Sequence, residues 1–153
     1  MAANTQPIYT KTPNFGMVLI PTTNAQVKSD GTSAGTGTDM MYKVFTAGAE
    51  GSFLESIRFS CVAQAAAVTS VATTLRAYIS TVASPGATTN TDTSLLGEVS
   101  VPAQSASHST NATNYYDLII GKPIPAGHYV HVSQHVAQTA NQAWQALAFG
   151  GDY

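Results

Sequence analysis

Three histidines lie close together near the end of the chain and could bind a metal. His128, His131 and His135 occur in the run HYVHVSQHV. Alternating valines predict a strand, on which His131 and His135 stand about 13 Å apart at roughly 3.3 Å per residue. One ion cannot bridge that distance, so we expect no metal site. The outward side of this strand carries Tyr129, His131, Ser133 and His135, and we predict either an interface at Tyr129, His131 and His135 or a plain exposed face.

The carboxylates show no spacing typical of a paired catalytic acid and base. They are Asp30, Asp39, Glu50, Glu55, Asp92, Glu98, Asp117 and Asp152. Glu55 falls on the apolar side of a predicted strand, where it needs a partner, and Lys43 is a candidate for an ion pair. Serine occurs in no GxSxG motif. We therefore expect no enzymatic activity and no cofactor.

The basic residues and the single cysteine exclude further classes of function. Six Lys and Arg are scattered along a chain with a net charge of −2, so no basic patch for nucleic acid is predicted. Cys61 allows neither an intrachain disulfide nor a cysteine-based zinc site. The opening residues contain no apolar core of a signal peptide, and the run from Met17 to Ile20 is too short to span a membrane. We expect no membrane partner and a chain that stays in the compartment where it is made.

The composition favours a subunit of an assembly. Charged residues make up 9% of the chain, against roughly 25% in an ordinary soluble domain. A free monomer usually keeps more charge for solubility. We therefore expect a homo-oligomer whose faces contact neighbours, with a monomer of uncharged polar surface as the alternative.

The stretch from residue 40 to 62 shows the clearest strand pattern. Phe53, Ile57, Phe59 and Cys61 lie on one parity and are predicted to be buried. The run from Met41 to Thr46 precedes it across a loop with two glycines. Two apolar runs joined in this way predict a hairpin.

Eight short runs of this kind predict an all-β protein. They begin near Gly16, Met41, Phe53, Val71, Leu95, Tyr115, His128 and Gln142. Polar or turn-rich loops separate them, and no run has a helical period with caps. We predict an antiparallel β-sandwich, specifically an eight-stranded jelly roll, with an immunoglobulin-like sandwich as the alternative.

The chain is divided into an arm and one domain. Residues 1–15 are predicted to form an extended N-terminal arm, in which Pro7, Ile8, Tyr9 and Phe15 are apolar contact points for a partner. Residues 16–153 are predicted to form the single β-sandwich domain.

Three phrases resemble those of a known class of protein. VFTAGAEGSFLESIRF, TTLRAYIST and KPIPAGHYVHVSQ resemble small structural proteins of tailed bacteriophages that decorate or cement the capsid, and the likeness covers residues 39–134. The resemblance implies a jelly-roll or related β-sandwich, no enzymatic activity, self-association as trimers and attachment to the major capsid protein. Such a protein would lie on the outer capsid surface of the virion, and in the host cytoplasm before assembly.

Two alternatives remain open. One is a tail, collar or fibre component of the same kind of particle. The other is a carbohydrate-binding β-sandwich module, in which the outward aromatics Tyr78, Tyr129 and Tyr115 stack on sugars.

Overall fold

A computed structural model describes residues 10–63, 68–106 and 115–153. These residues form ten β-strands and one short 3-10 helix at Pro85–Ala87. The strands are β1 (Thr12–Ile20), β2 (Tyr42–Thr46), β3 (Ser52–Ala63), β4 (Val68–Thr69), β5 (Thr73–Ser80), β6 (Thr93–Val101), β7 (Ser105–Ala106), β8 (Tyr115–Ile124), β9 (Tyr129–Gln134) and β10 (Gln142–Asp152).

Two antiparallel four-stranded sheets form a sandwich. The first sheet has the order β1-β10-β3-β8 and the second has the order β2-β9-β5-β6, while β4 and β7 pair separately. The predicted all-β antiparallel sandwich is confirmed. The order is compatible with a jelly roll, and it differs from the immunoglobulin order because the first strand pairs with the last strand.

The hydrophobic core lies between the two sheets. Ile57, Phe59 and Trp144 of the first sheet pack in one cluster with Leu75 and Val132 of the second sheet. All five side chains are fully buried. Each large apolar side chain buried in this way stabilises the fold by roughly 1.5–3 kcal/mol.

The predicted hairpin between residues 41–46 and 53–62 is wrong. Strand β2 pairs with β9, and β3 pairs with β10 and β8, so the two runs belong to different sheets. The loop at residues 47–51 crosses from one sheet to the other, and Gly51 has a positive φ of 92° there. Apolar alternation indicates which side of a strand is buried but does not identify its partner.

A bulge corrects the predicted burial at the start of β3. In the pairing with β10, the adjacent residues Gly150 and Phe149 are registered with Leu54 and Ser56, so that β3 has one extra residue between them. An extra residue in a strand reverses the side to which the following residues point. Leu54 is therefore fully buried, whereas Glu55 is exposed. Glu55 needs no ion pair, and Lys43 instead places its ammonium 5.2 Å from the centre of the Tyr129 ring.

The first strand begins earlier than predicted. It starts at Thr12, so Phe15 is part of the sandwich and not of an arm. Gly16 explains how β1 approaches β2 so closely, because a Cβ atom at this position would lie 1.6 Å from the Val44 carbonyl oxygen. Residues Pro7, Ile8 and Tyr9 lie outside the described residues, and their role stays a prediction.

Candidate interaction surface

The outer side of the second sheet is largely covered by the chain itself. Residues 21–41 lie over it: the Gln26 amide donates to the Gln134 carbonyl at 2.7 Å, and Arg76 Nη1 donates to the Gln26 carbonyl at 3.3 Å. Tyr78 and His131 of this sheet are fully buried. The prediction that both side chains point outward to solvent or a partner is therefore wrong.

The predicted interface at Tyr129, His131 and His135 is not one exposed surface. His131 Nε2 lies 2.9 Å from the Val82 carbonyl oxygen. Tyr129 is half-buried beside Lys43. His135 is also half-buried, and its Nδ1 lies 3.5 Å from Arg76 Nη1. His131 and His135 thus contact loops outside the sheet, at the Val82 and Gln26 carbonyls.

Burial also sets the ionisation of His131. Loss of water around the imidazole lowers the pKa of His131, and the nearby Lys43 ammonium lowers it further. The bond to the Val82 carbonyl opposes this shift. The imidazole is therefore neutral at neutral pH, so that its Nε2–H donates to Val82.

The outer side of the first sheet is different, because three of its four strands, β1, β10 and β8, place large apolar side chains on it. The outward residues of β3, which lies between β10 and β8, are Ser56, Arg58 and Ser60. Met17 is 79% exposed and Ile119 is 73% exposed. We call this surface the apolar face. Its members are Phe15, Met17 and Leu19 of β1, Leu147 and Phe149 of β10, and Tyr115 and Ile119 of β8.

Strand pairing places these side chains next to one another. Phe15 is registered with Phe149, and Met17 is registered with Leu147. The rings of Phe15 and Phe149 meet edge to face, with their centres 6.0 Å apart. The apolar side chains of β1 and β10 thus form one surface.

Arg58 connects that surface to β8. Its Nε and Nη2 donate to the two carboxylate oxygens of Asp117 at 2.8 and 2.9 Å. Its guanidinium carbon lies 5.2 Å from the centre of the Tyr115 ring and 6.0 Å from the centre of the Phe149 ring. The hydrogen bonds from Arg58 lower the pKa of Asp117, so the pair is ionised and carries no net charge.

A shallow groove lies at the β1–β10 end of the apolar face. It has a volume of about 300 Å³ and is lined by Met17, Val18 and Leu19 of β1 and by residues 145–147 of β10. The groove is mainly apolar, so it suits a hydrophobic side chain from a neighbouring protein.

A second groove, of about 290 Å³, contains Asp92 and His128. Asp92 Oδ1 accepts bonds from the Thr89 amide and the Thr93 hydroxyl, and its Oδ2 accepts a bond from the Thr89 hydroxyl. These bonds lower the pKa of Asp92. The carboxylate therefore fixes its own loop and is not poised as an acid or base.

The described part of the chain offers no clear metal centre. It contains no group of three or more His, Cys, Asp or Glu side chains placed to hold an ion. Likewise, none of the helical segments in residues 10–63, 68–106 and 115–153 is long and apolar enough to cross a membrane.

Comparison with known proteins identifies no family. No protein-family model matches the sequence, and no curated protein matches it. The fold and the apolar face therefore carry the functional argument.

Proposed function

We propose that the chain is a non-enzymatic structural protein that decorates and stabilises a phage capsid by binding the lattice of the major capsid protein. The observation that carries this proposal is the apolar face. Five of its side chains are at least 39% exposed. Several large apolar side chains exposed on one side of a sheet usually mark a contact with another macromolecule.

The residue types of the face support a protein partner. Met, Phe, Tyr and Arg are enriched in protein–protein interfaces, whereas Lys and Glu are depleted. Among and beside the members of the face, β3 and β8 carry two outward charged side chains, Arg58 and Asp117, and these neutralise each other. A surface of this composition loses little hydration energy on contact with a similar protein surface.

The low charge of the whole chain fits the same proposal. A net charge of −2 over 153 residues gives weak repulsion between copies packed at high density on a shell. We propose the major capsid protein and further copies of this chain as the partners. A tail, collar or fibre component would use the same surface, and the particle fraction that contains the chain distinguishes the two locations.

A carbohydrate-binding role gains no support from the aromatic side chains. Tyr78 is fully buried, and Tyr129 is half-buried beside Lys43. Tyr115 is exposed, but the Arg58 guanidinium lies over its ring. Stacking on a sugar needs a free aromatic ring beside polar groups in a cleft.

Sedimentation with purified shells tests the proposal. The chain should pellet with shells that lack it, saturate at a fixed number of copies per capsid subunit, and raise the temperature at which the shells rupture. Met17→Lys should weaken this binding at least tenfold, because it places a charge on the apolar face. Val27→Lys is the matched control, since Val27 is 55% exposed in the loop that covers the opposite sheet. A wild-type chain that stays in the supernatant at every concentration would contradict the proposal.

A further inference from the structure

Two loops on the side of the second sheet contact each other through Ser33. One is the loop at residues 21–41, and the other is the loop at residues 81–92. The Ser33 amide donates to the Thr88 carbonyl at 3.1 Å, and the Ser33 hydroxyl donates to the Asp39 carbonyl at 2.7 Å. Polar atoms that become buried at such a contact need a partner.

Within the first loop, Gln26 and Asp39 face each other in a short antiparallel β-bridge. The Val27 amide donates to the Thr38 carbonyl at 2.8 Å, and the matching bond on the other side of the bridge is 3.0 Å long. Bonds at these flanking positions define a non-hydrogen-bonded pair, whose Cα atoms lie about 4.5 Å apart. The side chains of Gln26 and Asp39 are therefore neighbours on one face.

Both side chains have a buried oxygen atom that accepts no hydrogen bond. Gln26 is fully buried, and its Nε2 donates to the Thr32 carbonyl at 3.2 Å. Its Oε1 has no hydrogen-bond partner within the described residues, and the same is true of Asp39 Oδ1 and Thr88 Oγ1. An amide oxygen and a carboxylate oxygen are both acceptors, so neither can satisfy the other.

We propose that this pair binds a calcium ion, with Asp39 Oδ1, Gln26 Oε1 and Thr88 Oγ1 as its side-chain ligands. Calcium takes about six to eight oxygen ligands, among them carboxylates, amide carbonyls and waters. This set holds one carboxylate and two neutral oxygens, so it differs from a group of three His, Cys, Asp or Glu, of which the described residues contain none. A site with one charged ligand binds calcium weakly, with a dissociation constant on the order of 10⁻³ M.

The charges near the site favour a cation. The two loops contain three carboxylates and one ammonium, those of Asp30, Asp39, Asp92 and Lys28. The Lys28 ammonium lies 3.4 Å from Asp39 Oδ2, and the Lys28 side chain is 52% exposed. An exposed ion pair of this kind is weak, so the ammonium can move into water when calcium binds. The nearest other cation, Arg76, is paired with Glu98 at 3.1 Å.

An NMR titration of the isotope-labelled full chain with calcium chloride gives the first test. The amide signals of Gln26, Asp39 and Thr88 should shift together along one saturating curve. At a calcium concentration ten times the dissociation constant, the folding equilibrium constant from urea denaturation should rise about tenfold. Sodium chloride of matched ionic strength should produce neither effect.

Two substitutions should strengthen calcium binding, which loss of structure could not do. Gln26→Glu places a second carboxylate beside Asp39, so calcium should bind about tenfold more tightly, while repulsion lowers the melting temperature in EDTA. Lys28→Gln removes the competing ammonium at an exposed position and should tighten binding about twofold to fivefold. Glu50→Gln is the matched control, because Glu50 is exposed in the loop at residues 47–51, and it should leave binding unchanged.

Thr88→Val tests the ligand from the second loop. It should weaken calcium binding about threefold or more. The melting temperature in EDTA should not fall, because the substitution removes a buried hydroxyl that has no partner among the described residues. A lower melting temperature in EDTA together with unchanged calcium binding would overturn the role of Thr88 as a ligand.

The outcomes also separate a calcium site from a water molecule that bridges the same oxygens. If water alone lies there, calcium and sodium chloride will give the same denaturation midpoint, and Lys28→Gln will bind no calcium; either result would overturn the inference. Equal changes in calcium binding for Lys28→Gln and Glu50→Gln would do the same. None of these results bears on the proposed function, because the apolar face lies on the other sheet.

Discussion

Acidification should destabilise the fold through His131. This imidazole is fully buried, and its Nδ1 has no hydrogen-bond partner within the described residues. Burial lowers the pKa of His131 from its ordinary value of 6.5. Between pH 7.5 and pH 5.5 the unfolded chain therefore takes up a proton that the folded chain resists. The free energy of unfolding should fall as the pH drops, by up to about 1.4 kcal/mol over this range for one such group.

Urea denaturation of the wild type and His131→Gln at both pH values measures this effect. Glutamine keeps an N–H donor for the Val82 carbonyl but does not titrate. The other three histidines, His108, His128 and His135, remain in both proteins, so their contributions cancel in the difference. The wild type should lose up to about 1.4 kcal/mol more than the variant on acidification. Equal losses would refute the assignment of a buried, neutral imidazole.

Three further changes test the sandwich itself. Gly16→Ala should prevent folding or lower the free energy of unfolding by on the order of 3 kcal/mol, because the added Cβ would meet the Val44 carbonyl. Soluble yield and melting temperature measure this effect. Leu54→Ala should lower the free energy of unfolding by about 2–5 kcal/mol, and Glu55→Ala by less than about 0.5 kcal/mol. Urea titrations measure both losses, and losses of similar size would contradict the bulge. Cys61 should resist a thiol reagent in the native protein and react in urea, because it is buried and its thiol pKa is raised; rapid native labelling would contradict its placement.

The sequence predicted the class of fold because burial on one side of a strand leaves a period of two. The pattern around Ile57 and Phe59 indicated the inner side of β3 correctly. The same pattern could not show that β2 and β3 lie in different sheets, since pairing depends on distant segments. Nor could it show the bulge at Glu55, which reverses parity without a local signal such as glycine.

The outer sides of the two sheets were predicted least well. Tyr78 and His131 alternate with apolar residues, as exposed residues do, yet both are fully buried. His131 contacts the Val82 carbonyl, which is remote in sequence. The apolar face had a signal that could have been used. Both β1 and β8 are apolar on both parities, as in GMVLI and YYDLII, and a strand with two apolar sides has a second surface to cover.

Quantitative mass spectrometry of purified particles tests most directly whether the chain is a structural subunit of a capsid. Trypsin should release the peptide from Val44 to Arg58, VFTAGAEGSFLESIR. The account predicts that this peptide follows the major capsid protein through a density gradient at a fixed ratio. A peptide that is abundant in lysates of infected cells but missing from intact particles would contradict it.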